Sequence, residues 1–221
     1  MQACKVRAMV SPRGRLLSVN VGRARRFDHG GQPAVSAIRK SPVEGRIAAR
    51  GVNLDGDDQA DRRVHGGPDQ AVYAYATEDY RWWQRQLDRR LEPGLFGENL
   101  TTERIDVTGA LVGERWKIGS TVLAVTGPRV PCSKLAARME DSSFPRRFAK
   151  ALRPGTYLRI VSEGELGAGD EIRIVERPDH GLTIGDMFRI YMRDQHEARR
   201  LLEVEQIPLG WREWAQRHGE T

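Results

Sequence analysis

From Leu16 to about Pro178 the sequence is a succession of short β-branched runs, LLSVNVG, AVSAI, AVYAYA, TVLAVTG, TYLRIVSEG and EIRIVER, spaced by turn residues in a glycine-rich text. A segment of that length satisfies its backbone only by pairing with neighbours, and many such segments joined by turns make a barrel or a sandwich. The expected fold is therefore mainly β with helices, a β-barrel-like domain over residues 17–178. One helix interrupts the pattern. Thr77 stands in the capping position, Glu78 and Asp79 suit the positive helix end, and Tyr80, Trp83, Leu87 and Leu91 share a face before Pro93–Gly94 ends the segment. Tyr80 and Trp83 are thus expected in the core rather than against a ligand.

After RPDHG the periodicity changes from two to about 3.6. Thr183 and Asp186 form a capping box, Ile184, Met187, Phe188 and Tyr191 make a helical stripe, Asp194 starts a second helix, and Pro208 opens a third that carries Trp211 and Trp214. Residues 182–218 predict a C-terminal three-helix segment. At the other end, MQACKVRAMVSPRGR has cations but not the apolar stretch of a secretory signal, so residues 1–16 are expected to be a flexible leader that includes Cys4.

The 221 residues suit one large domain, or one domain with a small appendage. With 39% hydrophobic and 30% charged residues and no apolar run long enough to span a bilayer, the expectation is a cytoplasmic protein without membrane association. The net charge of +6 admits a polyanionic partner, but the arginines are scattered through GRARRF, DRRV, LDRRL, PRRF and EARRLL instead of forming one block, so no nucleic-acid partner is expected. A small phosphorylated ligand needs fewer cations. Two cysteines, one of them in the leader, make no disulfide framework.

The second cysteine lies in TGPRVPCSKLAAR, where Pro128 and Pro131 stiffen the approach and SKLAARM reads as the first turns of a helix. Cys132 at a helix N-terminus, with Arg129 and Lys134 close in sequence, meets conditions that favour a thiolate. A buried small hydrophobe, a nucleophile and a soft metal ligand all remain open at this point. No Cys-x-x-Cys pair marks a zinc site, and no orienting group marks a Cys–His hydrolase. Two further stretches carry polar groups beside glycines. LDGDDQADRRVHGGPDQAVYAY sets Asp55, Asp57, Gln59, Asp61 and His65 ahead of Gly66–Gly67, out of register for a calcium loop. PGLFGENLTTERI places Glu98, Asn99 and Thr101 just past two glycines.

Taken in order, GDDQADRRVHGGPDQAVYAY, PGLFGENLT and PRVPCSKL resemble the MOSC family, and within it the YiiM-like branch, over nearly all the chain from about Leu17. Relatives often carry an aromatic residue directly after the cysteine, where Ser133 stands here. The resemblance implies a MOSC β-barrel, a pyranopterin molybdenum cofactor, and reduction of N-hydroxylated compounds, including N-hydroxylated purine bases, to amines. Cys132 is then the molybdenum ligand and a catalytic residue. Lys40, Arg129 and Lys134 are expected to hold the cofactor's phosphate or pterin edge, with Asn99, Thr101 and the Gly66–Gly67 amides beside them. His65, with Asp61, either fixes the turn or contacts the cofactor and supplies a proton. The alternative within the wider family is a sulfur carrier holding a persulfide on Cys132 without molybdenum. There is no G-x-G-x-x-G fingerprint and no cysteine set for an iron–sulfur cluster. No intrinsic flavin, haem or iron–sulfur cluster is therefore expected, and electrons are expected from a separate reductase acting on a monomer or homodimer.

Overall fold

The structure, a computed structural model, describes residues 13–29, 32–60 and 66–219. The chain first lays down β1 (Arg13–Val21), β2 (Arg25–His29), β3 (Gln32–Ser36), β4 (Ser41–Val43), β5 (Arg46–Arg50), β6 (Asn53–Leu54) and β7 (Val72–Ala76). Helix α1 (Thr77–Leu87) separates these from β8 (Leu100–Glu103), β9 (Arg115–Ile118) and β10 (Thr121–Gly127). Two short helices follow, α2 (Ser133–Met139) and α3 (Phe144–Ala151), and then β11 (Thr156–Ser162), β12 (Gly164–Gly167) and β13 (Glu171–Glu176). The chain ends in α4 (Ile184–Met192), α5 (Arg199–Leu202) and α6 (Leu209–His218).

Seven strands run in the order β13-β9-β10-β11-β7-β8-β1, and β1 pairs back onto β13 to close a barrel. Closure leaves no open edge on the ring. Every neighbouring pair is antiparallel except β7 and β8, which run parallel because α1 carries the chain back between them. Strand β4 extends the sheet along β1, β5 pairs with β6 and β12 in a smaller sheet, and β2 and β3 form a hairpin.

Strand β7 explains how two cores meet. All five of its residues are buried. Alternation sends Val72, Ala74 and Ala76 into the barrel with Leu16, Leu100, Trp116 and Leu158, and sends Tyr73 and Tyr75 to the opposite side. There they join Tyr80 and Trp83 of α1, Phe96, and Phe144 and Phe148 of α3 in an aromatic cluster. Tyr80 and Trp83 are core residues, as their spacing predicts. The helix carrying them differs at both ends from the sequence expectation. Thr77 is its first residue rather than its cap, and it stops at Leu87, where Asp88 adopts a left-handed conformation (φ 47°), well before Pro93. Helix α3 has no counterpart in the sequence reading, although Phe144 and Phe148 stand four apart and both are buried.

The expected leader boundary at residue 16 falls inside β1: Arg13–Leu16 are strand, and Arg13, Gly14 and Arg15 pair with β13. Cys4 lies outside the described residues. In the C-terminal segment the capping box forms as read, with Thr183 Oγ1 accepting from the Asp186 amide and the Asp186 carboxylate accepting from the Thr183 amide. Asp194 precedes a 3₁₀ turn at Gln195–Glu197, and Pro208 caps α6. The segment does not stand apart from the barrel. Ile184, Met187, Ile190, Leu201, Val204, Ile207 and Ala215 belong to the same buried cluster as the barrel interior, and Leu111 bridges to Thr183. Among the described residues no helix is long and apolar enough to cross a membrane.

Candidate functional site

A cleft of about 120 Å³ opens where five stretches converge: residues 36–40, the acidic loop at 57–60, Gly66 and residues 70–73, the 97–99 turn, and residues 129–134. Glycines allow the approach. A Cβ on Gly94 would lie 2.6 Å from the Lys40 carbonyl oxygen, and one on Gly97 would lie 2.8 Å from Ile38 Cγ1. Both have φ near +80°, where an L side chain is strained.

Of the residues expected to act, Lys40, Gly66, Asn99, Arg129, Cys132 and Lys134 all line this cleft. Cys132 is half-buried and stands immediately before α2, its carbonyl accepting from the Leu135 amide at 3.0 Å. The helix has only seven residues, so its dipole is weak and the neighbouring cations carry more of the field. Arg129 is buried, donates to the Phe96 carbonyl, lies with its guanidinium carbon 5.3 Å from the centroid of the Tyr73 ring, and engages the Cys132 side chain. Burial works against its charge, but Tyr157, Tyr73 and Cys132 outweigh that and hold its pKa above the ordinary value. The guanidinium is thus at once a structural pin for the 93–99 segment and a fixed positive charge beside the sulfur.

Lys40 is also buried, and the loss of hydration lowers its pKa even though Asp57 pairs with it. Asp57 is the organiser of this wall. Its Oδ1 accepts from the Lys40 ammonium and from the Gly22 amide at 2.7 Å, and its Oδ2 accepts from Asn99 Nδ2 at 2.8 Å. Asn99 Nδ2 also donates to the Asn20 carbonyl, and its Oδ1 accepts from the Tyr73 amide. Both Nδ2 donors are therefore taken by protein, which makes Asn99 chiefly a brace between β1, the acidic loop and β7. Thr101 does not line the cleft: its hydroxyl donates to Glu98 Oε1 at 2.8 Å and accepts from Asn20 Nδ2. Gly67 (φ 85°) sits one residue from the wall, and its amide donates to Gln59 Oε1. Asp61 and His65 lie outside the described residues.

Four contributors, Asp57 among them, were not assigned as site residues from the sequence. Tyr73 and Tyr157 close the inner wall with ring centroids 5.1 Å apart, and burial raises both their pKa values, keeping them neutral. Glu98, fully buried, accepts through Oε1 from Tyr80, Thr101 and the Gly94 amide, while Oε2 has no partner among the described residues. Burial raises its pKa. Asp57 stands in the acidic stretch that the sequence singles out, but nothing local told it apart from Asp55 or Asp58.

The fold and the cleft define a closed seven-stranded barrel whose wall presents the Cys132 thiol beside the buried cations Lys40 and Arg129. The family model described as MOSC domain matches residues 61–173, and the chain belongs to that family and is YiiM-like. It is 31% identical to the uncharacterized protein YflK of Bacillus subtilis (strain 168) over 90% of this chain and 89% of that one. It is 29% identical to protein YiiM of Escherichia coli (strain K12), covering 80% of this chain and 81% of YiiM. A protein named reductase from Gibberella moniliformis is 30% identical over 89% of this chain, which spans 35% of that longer protein. Among solved structures, YiiM from Geobacillus stearothermophilus superposes with a TM-score of 0.77 at 26% identity, covering 93% of this chain and 98% of that one. MOSC domains bind a molybdenum cofactor in general.

Proposed function

We propose that the protein is a molybdenum cofactor-dependent reductase that converts N-hydroxylated compounds, N-hydroxylated purine bases among them, to amines, with Cys132 as the protein's ligand to molybdenum. The observation that carries this is the convergence of Cys132 with Lys40, Arg129 and Lys134 on one cleft. The donor set fits the group. Among the described residues no three His, Cys, Asp or Glu side chains gather as a metal site, so Cys132 is a lone soft donor suited to a metal that brings its own dithiolene sulfurs. Lys40, Arg129 and Lys134 supply positive charge for a phosphate. When bound, the cofactor supplies two-electron redox chemistry and exchangeable oxygen sites.

The overall reaction consumes two electrons and two protons for each N-hydroxyl group and yields the amine and water. The chain's own part is positioning. Arg129, locked by the Phe96 carbonyl and the Tyr73 ring, holds a positive charge beside the Cys132 sulfur. Asp57 fixes the Lys40 ammonium, and the Tyr73–Tyr157 pair forms the inner wall. The relative named reductase supports an oxidoreductase role. Electrons are proposed to come from a separate reductase.

Protein made in cells able to synthesise the cofactor should contain molybdenum and pterin in stoichiometric amount, and Cys132→Ser should remove reduction of 6-hydroxyaminopurine while leaving the melting temperature unchanged. A fully active Cys132→Ser protein would sink the thiolate-ligand assignment. Persulfide on Cys132 with no molybdenum under the same conditions would establish a sulfur carrier instead.

A further inference from the structure

Beside the cysteine cleft lies a larger cavity of about 520 Å³, between the barrel and the C-terminal helices. The two share walls: Gly66, Gln70, Val130 and Tyr157 line both. The outer side of the larger cavity is aromatic, built from Tyr191 of α4 and from Trp211 and Trp214 of α6, with Arg217 at the rim. All three rings are half-buried, neither sealed in the core nor spread on the surface. Tyr191 meets Trp211 at 5.3 Å between centroids and 81°, Trp211 meets Trp214 at 6.1 Å and 77°, and Tyr191 meets Trp214 at 5.0 Å and 47°, so the three rings form a corner, backed by His218 stacked on Trp214 at 4.7 Å and 21°. Gly127 makes room for this: a Cβ there would lie 2.6 Å from Trp211 Nε1. The tryptophan thus rests on the backbone at the end of β10, where the chain turns toward Cys132.

The adjoining cavity falls inside the roughly 300–1,000 Å³ of ordinary small-molecule sites. Half-exposed aromatic faces with a cation at the edge suit a flat, electron-poor ring, because every nucleobase has a π-face and stacks on such side chains. An aliphatic N-hydroxyl compound would gain apolar contact with the corner but no stacking. We propose that this lobe holds the planar heteroaromatic ring of the substrate and directs its N-hydroxyl group along the shared wall toward Cys132. The proposal rests on the N-hydroxy reduction proposed above and makes Tyr191, Trp211 and Trp214 specificity determinants.

The test uses the full chain. Binding of adenine, the amine product of 6-hydroxyaminopurine reduction, is measured by equilibrium dialysis for wild type, Tyr191→Leu, Trp211→Leu and Trp211→Phe, each checked for an intact melting transition. The leucine variants should bind adenine about five- to a hundredfold more weakly, and Trp211→Phe should recover most of the affinity. In cofactor-loaded protein, kcat/KM for 6-hydroxyaminopurine relative to that for hydroxylamine, which has no ring, should fall by the same factor in the leucine variants. Wild type that binds no adenine, or folded leucine variants that bind it as tightly as wild type, would overturn the lobe assignment. If loaded wild type reduces neither compound, the proposed activity fails, while the dialysis still decides whether the lobe takes a planar base.

Discussion

Removing the carboxylate of Asp57 should expose how the cysteine cleft is held together. In Asp57→Ala the Lys40 ammonium keeps its burial and loses its partner, and the Gly22 amide and Asn99 Nδ2 lose an acceptor. Breaking one side of a buried ion pair costs about 3–5 kcal/mol, most of it the penalty of the orphaned charge. Orphaned neutral donors add about 1–3 kcal/mol each in a dry site, but Asn99 lines the cysteine cleft and Gly22 a neighbouring surface pocket, both open to water, so the total should stay within the range for the pair. In a chain of this size that is a fall of about 6–20 °C in melting temperature. The diagnostic is the double variant. Asp57→Ala with Lys40→Met removes the stranded charge and should recover at least half of the loss, a strongly non-additive cycle. Urea denaturation of cofactor-free protein, comparing midpoints at constant slope, measures all four corners. The pH dependence gives a second check. Folded Lys40 titrates below the ordinary lysine value of 10.5, and without Asp57 it should titrate lower still. Between that lowered pKa and 10.5 the unfolded chain binds more protons than the folded one, so the stability of Asp57→Ala should rise with pH across the window and level off above it. Lys40→Met should show no such rise. Additive single-variant costs, or an Asp57→Ala penalty under about 1 kcal/mol, would refute the assignment of Asp57 as the anchor of a buried charge.

Gly94→Ala should cost about 2–5 kcal/mol in the same assay, from left-handed backbone strain and a Cβ driven against the Lys40 carbonyl; a neutral result would mean the 93–99 turn can shift away from residue 40. Arg129→Lys should lose both cofactor retention and stability, since an ammonium cannot reproduce the bond to the Phe96 carbonyl together with the stacking on Tyr73; molybdenum content and melting temperature read the two losses, and unchanged values for both would remove Arg129 from the wall. Hydrogen bonds from Arg189, and then Arg200, hold the Glu197 carboxyl down to about 2, so the stability it contributes is present above the ordinary value of 4.5 and lost as pH falls from there toward 2. Hydrogen-exchange protection factors in α4 and α5, corrected for the pH dependence of intrinsic exchange, should therefore fall across that interval, and Glu197→Gln should abolish the fall. Truncation after Pro178 should give an aggregating product rather than a free barrel, because Ile184, Met187, Phe188 and Leu201 fill barrel-facing cores; light scattering of the purified fragment decides it, and a monodisperse fragment would contradict the shared core.

Strands such as TVLAVTG and EIRIVER, the Thr183–Asp186 box and the helical stripe after it were legible because each depends on residues within a few positions of one another. The three stretches that carry the family resemblance could be read as a set, and Cys132 singled out, because prolines and cations flank it in the chain itself. What the sequence by itself determined, then, was the local conformation and the inventory of reactive groups. Tertiary structure alone decided which of those groups meet. The parallel pairing of β7 with β8, the Lys40–Asp57 pair, the bond from Asn99 to Asp57 across 42 residues and that from Arg129 to Phe96 across 33 arise from barrel closure, which joins strands distant in sequence and carries no local pattern. The same closure turned Thr101 away from the cleft and brought Trp211 onto Gly127, because a side chain's surroundings in a barrel are set by the register of its neighbours and not by its own residue type.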